Sequence, residues 1–248
     1  MEKYIGITGF KTQEEIVRCK VGSWSYSEGK GPIVMYGILT SKKSIAYPLR
    51  EGTRRPSLEN LSSVLEEIPF ESLPTIHHCT DNRHFSEELD IILSQDRIYD
   101  RGLVKAMQIN QRLPEISELE KIKKNYSNLK IILQLEPEDL ANPKHTGKIV
   151  NNYDGLADYV IIDPSRGVGI TLDMHNSLDV LKEIKINAMP VIAGGLNPNN
   201  VREVINFFRK EYGHNFCIDA EGKLRDESDT LDINKMQSYL KEAYLAYK

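Results

Sequence analysis

The feature that most constrains this chain is a recurrence: eight short apolar, β-rich runs follow one another along it, with helical stretches between them. The runs are Tyr4 to Thr8, Ile33 to Thr40, Thr75 to Cys79, Lys105 to Ile109, Lys130 to Leu135, Tyr159 to Asp163, Pro190 to Ala193 and Asn215 to Asp219. Runs that are apolar at nearly every position suit strands buried on both faces, and such strands are joined by crossover helices. Helical candidates fall in the gaps. Thr12-Gln13-Glu14-Glu15 has the pattern of a capping box, Ser57-Leu58 opens a helix after Pro56, and Ile116 to Asn125, Ser177 to Ile184, Asn199 to Glu211 and Leu231 to Tyr247 extend the outer layer. The alternation predicts a (β/α)8 TIM barrel, in which chemistry sits where the strands end and their following loops begin.

Size agrees with one such domain over residues 1–248, since 28.3 kDa lies within the range of single-domain α/β barrels. The formal charge of −4 is spread in mixed signs, which argues against nonspecific nucleic-acid binding, because a phosphate backbone requires a concentrated basic surface. Cys19, Cys79 and Cys217 are far apart and odd in number, with no Cys-x-x-Cys pair, as expected of a reducing compartment. No apolar segment reaches membrane-spanning length and MEKYIGITGF lacks the form of a secretory leader, so a cytoplasmic protein without a membrane partner is expected. Two stretches, Gly22 to Gly31 with Trp24 and Tyr26, and Tyr47 to Arg55, read as loop insertions.

Polar residues collect at the strand ends. Asp163 and Asp219 each close an apolar run, and a carboxylate at a low-dielectric barrel mouth retains a proton at useful pH, which suits acid or base work. Asp163 is alternatively a cap for the glycine turn that follows it, and Asp219 part of an ion-pair network with Lys223, Arg225 and Asp226. In His77-His78-Cys79, strand alternation turns His77 and Cys79 to one side and His78 to the other. A thiol beside an imidazole can be activated as a nucleophile, although packing is the commoner role of inward barrel residues. Gln108, Asn110 and Gln134 can orient a sugar or heterocycle, or simply form a polar layer closing the mouth. Gly194-Gly195 permits close backbone approach just before a helix start, at the loop where barrels hold phosphate. Gly167 and Gly169 form a second side of that cradle, Asn197 and Asn200 support the turn, and Arg54 and Lys223 supply positive charge.

These segments resemble the phosphoribosylanthranilate isomerase family of tryptophan biosynthesis. The resemblance is clearest in Val191-Ile192-Ala193-Gly194-Gly195-Leu196-Asn197-Pro198-Asn199-Asn200-Val201, which is similar to the family's phosphate loop after strand seven. It extends to Ile5-Gly6-Ile7-Thr8, Met107-Gln108-Ile109-Asn110, Tyr159-Val160-Ile161-Ile162-Asp163 with Gly167-Val168-Gly169, and Ile218-Asp219-Ala220-Glu221-Gly222. It implies a barrel that binds a phosphorylated small molecule and performs an Amadori aldose–ketose isomerisation without cofactor or metal. It also implies Asp163 as general acid. The family's general base is a first-strand cysteine followed directly by glycine, and the residue before Gly6 here is Ile5, which cannot take a proton. Thr8 is a neutral hydroxyl and a poor substitute, which leaves Cys79 and Asp219 as candidate bases. The serine-glycine pair that follows strand eight in the family is missing after Asp219. Two alternatives stay open: an N-glycosyl hydrolase or lyase acting on a phosphorylated ribosyl compound, and a ligand-binding barrel without catalysis. A homodimer is the base-rate expectation for assembly.

Overall fold

The computed structural model describes residues 1–27, 31–46, 54–164 and 172–248. Its eight strands are β1 (Tyr4–Thr8), β2 (Ile33–Ser41), β3 (Leu73–Cys79), β4 (Ala106–Asn110), β5 (Lys130–Leu135), β6 (Tyr159–Ile162), β7 (Met189–Ile192) and β8 (Cys217–Ala220). All neighbours pair in parallel and in sequence order, and β8 returns to β1 to close the sheet.

The helical layer corrects the expected (β/α)8 pattern of one helix per strand. The described residues contain ten α-helices: α1 (Gln13–Ser27), α2 (Lys42–Ala46), α3 (Leu58–Glu66), α4 (Ser86–Ser94), α5 (Ile116–Asn125), α6 (Pro137–Leu140), α7 (Pro143–Val150), α8 (Met174–Glu183), α9 (Val201–Glu211) and α10 (Ile233–Tyr247). Two helices follow β2, and two follow β5. The second split has a local cause. Pro143 has no amide hydrogen to continue α6, so the chain restarts at Asn142, whose side chain accepts from the His145 amide as the cap of α7. The reading of Gly22 to Gly31 as a loop is also corrected in part, because α1 runs on to Ser27. The side chains of Trp24 and Tyr26, and residues 47–53 of the other expected insertion, lie outside the described residues.

The capping box expected at Thr12 is formed, and the helix expected after Pro56 starts from a capping serine. The Thr12 hydroxyl accepts from the Glu15 amide at 3.3 Å while the Glu15 carboxylate accepts from the Thr12 amide at 3.0 Å, and Ser57 accepts from the Asn60 amide at 3.3 Å.

Side-chain alternation divides the core in two. Ile5, Ile7, Tyr36, Ile38, Met107 and Ile162 point outward and pack with helix residues such as Ile16, Leu61 and Leu240. Tyr4, Met35, Leu73, Ile132, Tyr159 and Val191 fill the barrel's lower interior without any helix residue among them. Apolar filling at that end leaves the polar inward positions at the carboxyl ends of the strands. Among the described residues, no helix is long and apolar enough to cross a membrane.

Candidate active site at the barrel mouth

Each polar residue at the mouth is the next inward step along a strand whose lowest inward step is apolar. Thr8 follows Tyr4 and Gly6 on β1, His77 and Cys79 follow Leu73 and Thr75 on β3, and Gln108 follows Ala106 on β4. Gln134 follows Ile132 on β5, Asp163 follows Ile161 just past β6, and Asp219 follows Cys217 on β8. One pocket joins His77, Gln108, Asp163 and Asp219 to Gly194, Gly195, Glu221 and Lys223.

Asp219 lies in this pocket with 5% of its surface exposed. Its carboxylate accepts from the Thr8 hydroxyl, at 3.2 Å to one oxygen and 3.3 Å to the other. Gly6, its partner in register on β1, makes the room: a Cβ there would stand 2.3 Å from Asp219 Oδ1. Burial raises the Asp219 carboxyl to about 7, with Glu221 and Asp163 adding to the rise while His77 and the Thr8 hydroxyl oppose it. Asp163, also buried, accepts from Gln134 Nε2 at 3.3 Å, and Gln134 Oε1 in turn accepts from Gln108 Nε2 at 3.1 Å. This relay from β4 through β5 fixes the orientation of the Asp163 carboxylate.

On β1, Thr8 and not Ile5 reaches the mouth. Ile5 points outward into the layer beneath the helices and has no place at the mouth. The inward residue followed by a glycine is Thr8, and Gly9 takes a φ of 102° to turn the chain away. Arg225 fills the space over Gly9 and donates to its carbonyl at 3.0 Å.

Beyond β7, Gly194 and Gly195 adopt φ values of 104° and 65°, a left-handed run that glycine alone accepts readily. The amides of Gly194, Gly195 and Leu196 donate to no protein acceptor among the described residues, whereas those of Asn197 and Asn199 are taken by Asn200 Oδ1 and Asn197 Oδ1, both at 2.8 Å. Asn197 and Asn200 also donate to the Gly195 carbonyl at 3.1 Å each, so Asn197 braces the turn. Successive free amides in such a turn make an anion-binding concavity. The exposed Lys223 lies beside it. Gly167 and Gly169 lie outside the described residues. Arg54 is not an unneutralised cation awaiting a ligand: it pairs with Glu221 at 2.9 Å and Asp229 at 2.6 Å.

The β3 histidines separate as alternation requires. His78 faces outward, fully buried, between Thr40 Oγ1 at 3.0 Å and Glu88 Oε2 at 2.9 Å. His77 faces the pocket, and neither of its ring nitrogens finds a hydrogen-bond partner among the described residues. Burial alone would lower its proton affinity, but Cys79, Glu221 and Asp219 outweigh it and raise His77 to about 9. Cys79, at the strand's end, accepts from Asn110 Nδ2 at 3.6 Å. Its burial disfavours the thiolate, yet His77, Arg55 and Asn110 together bring it down to about 7. His77 and Glu221 had little weight in the sequence reading. The two-residue step from Cys79 back to His77 was the signal for one, and the step from Asp219 to Glu221 for the other.

Known proteins supply comparisons over most of the chain. No family model matches it. An N-(5'-phosphoribosyl)anthranilate isomerase of Methanococcus aeolicus is 27% identical over 213 residues, covering 83% of this chain and 84% of that protein. Among solved structures, phosphoribosyl anthranilate isomerase from Thermotoga maritima superposes with a TM-score of 0.68 at 19% identity, covering 98% of each chain. The Thermus thermophilus enzyme of the same name gives 0.67 at 15% identity, again over 98% of each. At these identities the structural likeness is one of fold.

Proposed function

As a divergent member of the barrel superfamily that includes phosphoribosylanthranilate isomerase, this chain, we propose, binds a phosphoribosyl or related sugar-phosphate ligand at the mouth and isomerises it from aldose to ketose. The observation that carries the reading is the single pocket in which two buried carboxylates, Asp163 and Asp219, stand beside the unpaired amides of the Gly194-Gly195 turn. The ligand's phosphate sits on those amides, with the Lys223 ammonium adding charge.

The chemistry then needs one proton given and one taken. Asp163, held by Gln134, delivers a proton to the ring oxygen as the C1–O bond opens and the glycosylic nitrogen's lone pair forms a protonated imine (iminium). Asp219 removes the proton from C2, and the resulting enolamine becomes the amino-ketose. With its carboxyl raised to about 7, Asp219 is a stronger base than an ordinary aspartate and is still substantially ionised near neutral pH. Thr8 holds it in place and contributes no proton acceptor of its own.

The test is turnover of freshly generated phosphoribosylanthranilate, followed by loss of substrate fluorescence and by product mass. Isomerised product of unchanged mass is expected, with the rate falling about 10²–10⁴-fold in Asp163→Asn and in Asp219→Asn. Absence of turnover by folded protein would overturn this substrate. Separation of base from sugar would replace isomerisation with hydrolysis.

A further inference from the structure

We propose that His77 and Gln108 together read one sugar hydroxyl at the barrel mouth, that on C2 of the ligand, so that the site prefers ribosyl to 2-deoxyribosyl phosphates. The proposal deepens the sugar-phosphate reading above and rests on it. It gives both residues a part in binding and leaves the proton transfers with Asp163 and Asp219.

His77 and Gln108 are partners in register on β3 and β4, and both line the pocket. They are 5% and 2% exposed. Neither ring nitrogen of His77 has a hydrogen-bond partner among the described residues, and nor has Gln108 Oε1, so the two side chains do not bond each other. Buried polar groups are nearly always paired, and a pair left open on a pocket is a place for a ligand atom.

The polarity of that place is set from Asp163. A carboxylate oxygen accepts, so Gln134 must present its Nε2 to Asp163 Oδ2, which turns its own Oε1 toward Gln108. Gln108 must then present Nε2 to Gln134, and the end of the relay left facing the pocket is Oε1, an acceptor only. Beside it stands an imidazole, which carries at least one N–H whether neutral or charged. A fixed acceptor next to a donor matches a hydroxyl, which gives and takes a hydrogen bond through one oxygen. A carbonyl or ether oxygen would leave Gln108 Oε1 unpaired, and an ammonium has nothing to accept the His77 N–H. The reaction proposed above selects the hydroxyl. Asp163 serves the ring oxygen and Asp219 the hydrogen on C2, and both share the pocket with His77 and Gln108. The C2 hydroxyl is carried by the carbon at which Asp219 acts. A ligand without it leaves two buried groups unpaired, and the loss falls on affinity.

Isothermal titration calorimetry with ribose 5-phosphate and 2-deoxyribose 5-phosphate tests the proposal, since the two probes carry the same phosphate and differ in the C2 hydroxyl alone. The native chain should bind ribose 5-phosphate about twenty-five-fold more tightly, two hydrogen bonds at about fivefold each. His77→Phe keeps a ring and removes both nitrogens, and should cut that ratio about fivefold by weakening ribose 5-phosphate alone. An unchanged ratio, or an equal fall for both sugars as a merely structural role would give, would overturn the assignment. Should His77→Phe fail to fold, Gln108→Met makes the same test from the other side of the hydroxyl. Equal affinity of the native chain for both sugars would overturn the proposal and leave the phosphate site standing, whereas binding of neither would overturn both. Neither probe has the glycosylic nitrogen that ring opening to an iminium requires, so failure of the isomerisation leaves this test unaffected.

Discussion

Replacing Asp219 with asparagine should make the protein more stable at alkaline pH and leave it nearly unchanged in acid. The carboxyl is buried and rises from its ordinary 3.8 to about 7, chiefly because burial penalises its charge. Between those two values the folded protein keeps a proton that the unfolded chain has released. Stability therefore falls as pH climbs through that window and levels off above about 7. At about 1.4 kcal/mol for each tenfold change in proton affinity, the full loss is about 4 kcal/mol. Asparagine keeps the shape, can still accept from Thr8 through its amide oxygen, and has no charge to bury. Urea unfolding of both proteins at several pH values from 4 to 8.5 measures the effect as the difference in midpoint at constant slope. The curves should coincide near pH 4 and separate until the variant leads by about 3–4 kcal/mol above pH 7.5. Parallel curves would refute the assignment of a costly buried charge to Asp219. A variant less stable at every pH would show that the Thr8 contact matters more than the charge.

Three further outcomes follow from the same geometry. Turnover should fall on the acid side with an apparent midpoint near 7, because the base Asp219 must be ionised, and that limb should disappear from the residual activity of Asp219→Asn. His78→Phe should lower stability by about 2–4 kcal/mol in urea unfolding, because Glu88 and Thr40 lose their buried partner, while turnover per folded molecule is retained. Gly9→Ala should lower the melting temperature, since it forces an L-residue to a φ of 102° and sets a Cβ 1.9 Å from Arg225 Nη2. The backbone part alone amounts to about 1–3 kcal/mol.

The strands were legible in the sequence because a strand inside a barrel is buried on both faces and reads as a continuous apolar run. β1 and β5 carry the bounds the sequence predicts, and the other six differ by one or two residues at one or both ends, where pairing with the neighbour sets the limit. The cap at Thr12 and the helix start at Ser57 were legible because a cap or a helix start needs only its own few residues. The helical layer was less so. α2, α4, α6 and α7 are short, and short helices owe their stability to tertiary packing more than to propensity.

What the sequence determined by itself, then, is local. It set the eight apolar runs, the glycines that turn the chain after β1 and β7, and the polar residues that end the strands. Which of those residues meet was decided only by closure of the sheet, because pairing β8 with β1 brings together Thr8 and Asp219, 211 positions apart. Closure also turned Ile5 toward the helices and Thr8 toward the pocket, neutralised Arg54 with Glu221 and Asp229, and set His77 among charges from β8. Proton affinity and ion pairing depend on distance and burial across the barrel, and neither quantity exists until the strands have come round.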